Sequence, residues 1–166
     1  MVEVSEKKRG GNYLSQYEYV DATPDNITEL VKKAGDNHSW ENRLEAVGEL
    51  RKWRCQQSVD VITRLALRDK VFAVKEEAFR VAQAFGVKKG GKAIYLGRKE
   101  KPFKNQEITK VFQRVIREMK KDNLTVEEFK AKFSQVNPEM YDVMGYEKRG
   151  NFNEWIDNVI KSLPKK

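Results

Sequence analysis

A single cysteine, Cys55, and a single histidine, His38, deprive this chain of the residues on which several chemistries depend. One cysteine excludes an internal disulfide, and one histidine excludes a His-based catalytic triad, a His pair or a His–Cys zinc set. Cys55 has Arg51, Lys52 and Arg54 close in sequence, which favours a thiolate, but no strong base stands near it to complete a nucleophile. His38 falls in a polar stretch between two helical patterns and is expected in a turn. No run approaches the roughly 18 apolar residues of a membrane span, and Met1 to Arg9 contain no apolar stretch of signal-peptide length. The expectation is a soluble protein of the reducing cytoplasm with no membrane partner. A phosphate-cradling loop fails on one residue. Gly86, Gly91 and Lys92 fit the spacing G-x-x-x-x-G-K, but Ala93 has no hydroxyl for magnesium, and the segment leaves a helical pattern rather than a strand. Carboxylates are numerous but scattered among lysines and arginines, as on solvated helix faces. No catalytic residue, no cofactor and no metal site can be assigned.

Charge, by contrast, is plentiful and unevenly placed. Charged residues make up 35% of the chain, above the quarter typical of globular domains. The net charge of +8 comes almost entirely from residues 87–121, where twelve Lys or Arg face three acids. A localised basic segment is the electrostatic footprint of a protein that meets nucleic acid, an acidic protein or an anionic surface.

Residues 25–86 repeat themselves at an offset of 32. Ile27 superposes on Val59, Leu30 on Ile62, Ala34 on Ala66, Asn37 on Asp69, Arg43 on Lys75, Glu45 on Glu77, Ala46 on Ala78 and Trp53 on Phe85. Each copy reads as two amphipathic helices. Thr23 and Pro24 predict the first start, Ile27, Leu30, Val31 and Ala34 its buried face, and Gly35 its end. Ser39 is the expected cap of the second helix, with Trp40, Leu44, Val47, Leu50 and Trp53 as its stripe. In the next copy Val59, Ile62, Leu65 and Ala66 line one helix. Phe72, Val74, Ala78, Phe79, Ala82 and Phe85 line the other, which stops at Gly86. The stretch from Val59 to Gly86 resembles a HEAT repeat: Leu65, Leu67 and Asp69 close its first helix, and Val74, Lys75, Ala78 and Ala82 mark its second. Residues 27–53 match more loosely, with Asn37 at the family's turn aspartate and Asn42 at the valine before the basic Arg43. The resemblance implies a short α-solenoid whose second helices present a concave face to a macromolecule.

Residues 1–22 read as a polar arm with Tyr13, Tyr17 and Tyr19. Residues 87–105 break the helical period and are expected to form a basic Lys/Gly loop, with Ala93 to Leu96 a short strand. Residues 106–166 are helical. Ile108, Val111, Phe112, Val115, Ile116 and Met119 share one face, and Thr125 with Glu128 is a capping box. Pro138 opens a helix ending at Gly145, and Asn151 begins a last one, with Phe152, Trp155, Ile156, Val159, Ile160 and Leu163, stopped by Pro164. These helices either cap the solenoid or form a separate module: the series Phe133, Gly145, Tyr146, Phe152, Trp155, Leu163 and Pro164 is faintly similar to the LOTUS domain, a winged-helix module associated with RNA and helicase partners.

The fold class expected is therefore all-α, a short solenoid of helical hairpins followed by a helical C-terminal half. Lys110, Arg114, Arg117 and Lys121, at i, i+4, i+7 and i+11, form a cationic stripe opposite the apolar one. Lys88, Lys89, Lys92, Arg98, Lys99, Lys101 and Lys104 add charge, and Tyr95 and Phe103 add stacking surface. Together they mark candidate contacts to nucleic acid, and the reading they support is a non-enzymatic adaptor. A pure protein-interaction scaffold, bound through the concave face, is the alternative. A HEAT-like DNA-repair enzyme stands third, because two repeats are few for that architecture.

Overall fold

Apolar periodicity of 3.6 runs through most of this sequence, and the computed structural model, which describes residues 17–163, is accordingly almost all helix. Eight α-helices are present among the described residues: α1 (Ile27–Ala34), α2 (Trp40–Leu50), α3 (Gln56–Arg68), α4 (Phe72–Phe85), α5 (Asn105–Met119), α6 (Val126–Val136), α7 (Pro138–Lys148) and α8 (Phe152–Ser162). The only strands among the described residues, β1 (Lys88–Lys89) and β2 (Lys92–Ala93), form a short antiparallel pair. Among the described residues no helix is long and apolar enough to cross a membrane. Most of the expected arm, including Tyr13, and the expected stop at Pro164 lie outside the described residues.

The chain divides into two compact units, one built on α1–α4 with the β-pair and the other on α5–α8, with the division at Lys99 and Glu100 inside the basic segment. In the first unit α1 packs on α2 and α3 on α4, while α1 also meets α3 and α2 meets α4. Small residues make that approach possible: Ala34, Ala46, Ala66, Ala78 and Ala82 are fully buried. A buried ion pair joins the hairpins. Arg43 on α2 donates through Nε and Nη2 to the two carboxylate oxygens of Asp69, at 2.8 and 3.2 Å, and through Nη1 to the carbonyl of Asp36 at 2.8 Å. The same carboxylate accepts the backbone N–H of Val71 at 2.8 Å, which satisfies a donor just ahead of α4.

Several boundaries differ from the sequence expectation, each for a local reason. Pro24 begins a turn rather than α1; the amide of Ile27 donates to its carbonyl, and Asn26 takes the cap position. Trp53 does not close α2. The helix ends at Leu50, and the backbone of Lys52 and Arg54 exchanges hydrogen bonds of 3.0 and 2.8 Å with Val20, beside Trp53. The residues after Gly11 that are described thus dock: Tyr17 is buried and donates to Glu77, and Tyr19 meets Phe85 edge-on with the Arg54 guanidinium over its ring. Gly145 does not end α7, which continues to Lys148 and carries buried Tyr146 past the glycine.

The second unit has an aromatic core. Phe112 of α5 lies 4.8 Å from Phe129, 5.1 Å from Phe133 and 5.4 Å from Trp155, ring centre to ring centre, with Ile108, Val115, Met140, Met144 and Ile156 completing the apolar cluster. Its helix starts follow the sequence signals. Thr125 Oγ1 accepts the Glu128 amide at 3.1 Å and the Glu128 carboxylate accepts the Thr125 amide, while Asn137 caps α7 ahead of Pro138. Thr125→Ala is expected to cost about 1 kcal/mol, as a lost N-cap does, in a thermal melt followed by circular dichroism. An unchanged midpoint would show the cap to be idle.

Candidate functional site

The basic segment begins where α4 stops. Gly86 adopts a left-handed conformation, φ 74°, which only glycine takes without strain, and the Val87 amide turns back to the carbonyl of Ala82. Past Lys88 and Lys89, Gly90 and Gly91, at φ 60° and 79°, form the two-residue reversal that joins β1 to β2. The expected strand at Ala93–Leu96 is thus displaced: pairing sets Lys88 against Ala93 and Lys89 against Lys92. Lys89 and Lys92 are therefore directly opposite across the pair, both exposed, and neither makes an ion pair among the described residues. Like charges so placed repel.

Beyond β2 the chain alternates. Ile94 is buried while Tyr95 is 86% exposed, the most open large apolar side chain described. Arg98 and Lys99 follow on the surface and close the first unit. The remaining candidates belong to the second. Lys101 and Lys104 are exposed, and Phe103 is half-buried, with part of its ring packed against the aromatic core.

The cationic stripe on α5 is only partly as expected. Lys110, Arg114 and Arg117 are exposed opposite buried Ile108, Phe112 and Val115. Lys121 lies past the helix end, because Lys120 takes a left-handed conformation after Met119. Two of the four charges are engaged: Arg114 pairs with Glu118 and Lys121 with Glu128. The Arg114 hydrogen bond holds the Glu118 carboxyl below its ordinary range, with Lys132 adding to it, and the Lys121 bond does the same for Glu128. Lys110 and Arg117 make no ion pair among the described residues.

One cluster escaped the sequence reading. Arg64 and Arg68 stand one helical turn apart on the outer side of α3, and with Lys88 they line an open groove of about 440 Å³. Its apolar lining comes from Val59, Leu67 and Val87. Thr63 contributes a hydroxyl that is buried and has no hydrogen-bond partner. The i, i+4 basic pair was visible in the sequence, but the return of the chain after Gly86, which supplies Val87 and Lys88, was not.

Among the described residues no group of His, Cys, Asp and Glu is placed to hold a metal ion. Cys55 Sγ lies 3.3 Å from Ser58 Oγ at the start of α3. Set against protein-family models, curated proteins and solved structures, the chain matches none.

Proposed function

We propose that this protein is a non-enzymatic adaptor that binds a polyanion, nucleic acid in the first instance, through the β1–β2 hairpin and the exposed cations around it. The observation that carries this reading is the pairing of Lys89 with Lys92. A sequence that places like charges face to face across a tight turn, without a carboxylate to separate them, accepts a local repulsion that a row of phosphates removes. Lys88 and Arg98 add to the same unit, and exposed Tyr95 offers a ring to an unstacked base.

The frame is read as a pair of HEAT-like hairpins, a minimal α-solenoid. Support comes from the stacking of α1 on α3 and α2 on α4 and from the Arg43–Asp69 pair that links one hairpin to the next. A protein-interaction scaffold is the second reading, favoured by the neutralisation of Arg114 and Lys121, which leaves the α5 stripe less cationic than its sequence.

Fluorescence anisotropy with labelled single-stranded DNA, duplex DNA and RNA, at about 50 and 200 mM salt, decides between the two. Contact with six or more phosphates predicts an affinity loss of about 10³ between those salts. Absence of binding to all three at the lower salt would sink the nucleic-acid reading in favour of the scaffold.

A further inference from the structure

We infer that the groove on the outer side of α3 is a docking site for single-stranded nucleic acid, with Arg64, Arg68 and Lys88 holding its phosphates and the apolar floor taking a sugar or base. The inference rests on the nucleic-acid reading above and places the strand on particular residues. Three features of the groove support it.

The first is charge outside any ion pair. Arg64, Arg68 and Lys88 line one groove, and none of the three makes an ion pair among the described residues. Of the other arginines described in this unit, Arg43, Arg54 and Arg80 pair with Asp69, Asp21 and Glu76, while Arg51 lies over the Tyr17 ring and Arg98 stands on the surface. The groove does contain one carboxylate, Asp60, which accepts from Gln56 at 2.7 Å, keeps its negative charge, and lies one helical turn from Arg64 and two from Arg68. An anion therefore meets the most positive potential toward Arg68 and Lys88, with Arg64 partly offset by Asp60. Four residues of helix separate Arg64 from Arg68 by about 6 Å along the axis, a step comparable to that between neighbouring phosphates of an extended strand. Each guanidinium presents a planar fork suited to phosphate oxygens.

The second is an unsatisfied hydroxyl. Thr63 Oγ1 is buried with no partner, although a threonine within a helix commonly bonds the carbonyl one turn back. A buried polar atom left unpaired is destabilising. A ligand in the groove satisfies it only if the Thr63 side chain turns outward, which would present the hydroxyl as a neutral donor beside Arg64.

The third is shape. Duplex DNA is read by convex elements, a helix or a β-ribbon, that enter its grooves. A concave site with Val59, Leu67 and Val87 as floor suits a strand whose bases are unstacked and free to turn inward.

The test uses the full chain and three labelled probes: a twelve-nucleotide oligothymidine, an oligouridine of the same length and a twelve-base-pair duplex. The intact protein is expected to bind both strands more tightly than the duplex. Arg64→Gln with Arg68→Gln is expected to weaken both strands about 50-fold at 50 mM salt and to lower the salt slope by about 1.4, the value for two lost single-strand contacts. Both side chains are exposed, so the melting temperature should hold. Thr63→Val supplies a second variant: it removes the unpaired hydroxyl at nearly constant volume, and is expected to raise the melting temperature while weakening strand binding several-fold. If the intact protein binds with strong salt dependence and both variants bind as it does, the groove is wrong and the broader reading stands. Preference for the duplex overturns the single-strand assignment. No binding of any probe overturns both.

Discussion

Asp69→Ala is expected to cost the first unit about 3–5 kcal/mol, the usual consequence of removing one partner from a buried ion pair. The Asp69 side chain is 4% exposed and that of Arg43 is 8% exposed, so the guanidinium left behind would be a charge without water or counter-ion. One further group, a backbone donor, loses its partner as well. The Val71 amide loses its acceptor, and Arg43 keeps only the carbonyl of Asp36. In a unit of this size each kcal/mol moves the midpoint by roughly 4–8 °C, so a fall of roughly 12–40 °C should appear in a thermal melt followed at 222 nm. A loss below about 1 kcal/mol would mean that the pair is solvated in solution and does not clamp the hairpins.

Double substitution separates the interaction from the burial. Arg43→Met removes the buried cation, and Asp69→Asn keeps an oxygen for the Val71 amide while removing the charge. Combined, they should cost less than the sum of the two alone by about 2 kcal/mol, because each single change strands the other's charge. Additive costs would show that Arg43 and Asp69 act through separate neighbours.

The repeat offset named both members of this pair without pairing them. Arg43 aligns with Lys75 and Asn37 with Asp69, so comparison of the copies marked these positions as equivalent between hairpins. The bond itself runs from the second helix of one hairpin to the turn of the next, across 26 residues, and a periodic pattern carries no such register. Signals that act within one turn of chain were legible. Gly35, Gly86, Thr125 with Glu128 and Pro138 mark helix ends in the structure because each acts locally: the glycine amides donate to the last carbonyls, Thr125 with Glu128 takes up first-turn donors, and Pro138 removes one. Signals that depend on a distant partner were not. Trp53 continues the apolar stripe of α2, but the backbone beside it is claimed by Val20. Gly145 resembles a terminator, yet burial of Tyr146 one residue later keeps the chain helical.

The basic site shows the same division. Its lysines stand out in any count of charge, and the Gly90–Gly91 pair is a hairpin signal in its own right. Read as a flexible loop, it hides the fact that Lys89 and Lys92 face each other. Tertiary contacts that the sequence did not show engage two of the candidates: Phe103 packs partly against the aromatic core, and Lys121 pairs with a carboxylate on α6. Arg64 and Arg68 were passed over because an i, i+4 basic pair on an amphipathic helix is ordinarily a solvated face. Only the chain returning after α4 turns that face into one wall of a groove.

Neutralising the hairpin, Lys88→Gln with Lys89→Gln and Lys92→Gln, is expected to weaken binding of single-stranded nucleic acid by about two orders of magnitude near 0.1 M salt. Each lost phosphate contact removes about 0.7 from the slope of log affinity against log salt, so the slope should fall by about 2. The stability change has the opposite sign from that of a structural site. Side chains on β1 and β2 are exposed and the Lys89–Lys92 pair is repulsive, so the melting temperature should stay or rise slightly. This combination, affinity lost and stability kept, separates a binding surface from a connector whose lysines serve only solubility. A variant with unchanged affinity and unchanged slope would remove the hairpin from the interface, and a variant that melts lower would assign the lysines to the fold. Because Lys88 also lines the α3 groove, restoring it alone to the triple variant is informative: recovery of about one slope unit or less, with the rest still missing, would show that Lys89 and Lys92 contact phosphates on their own account.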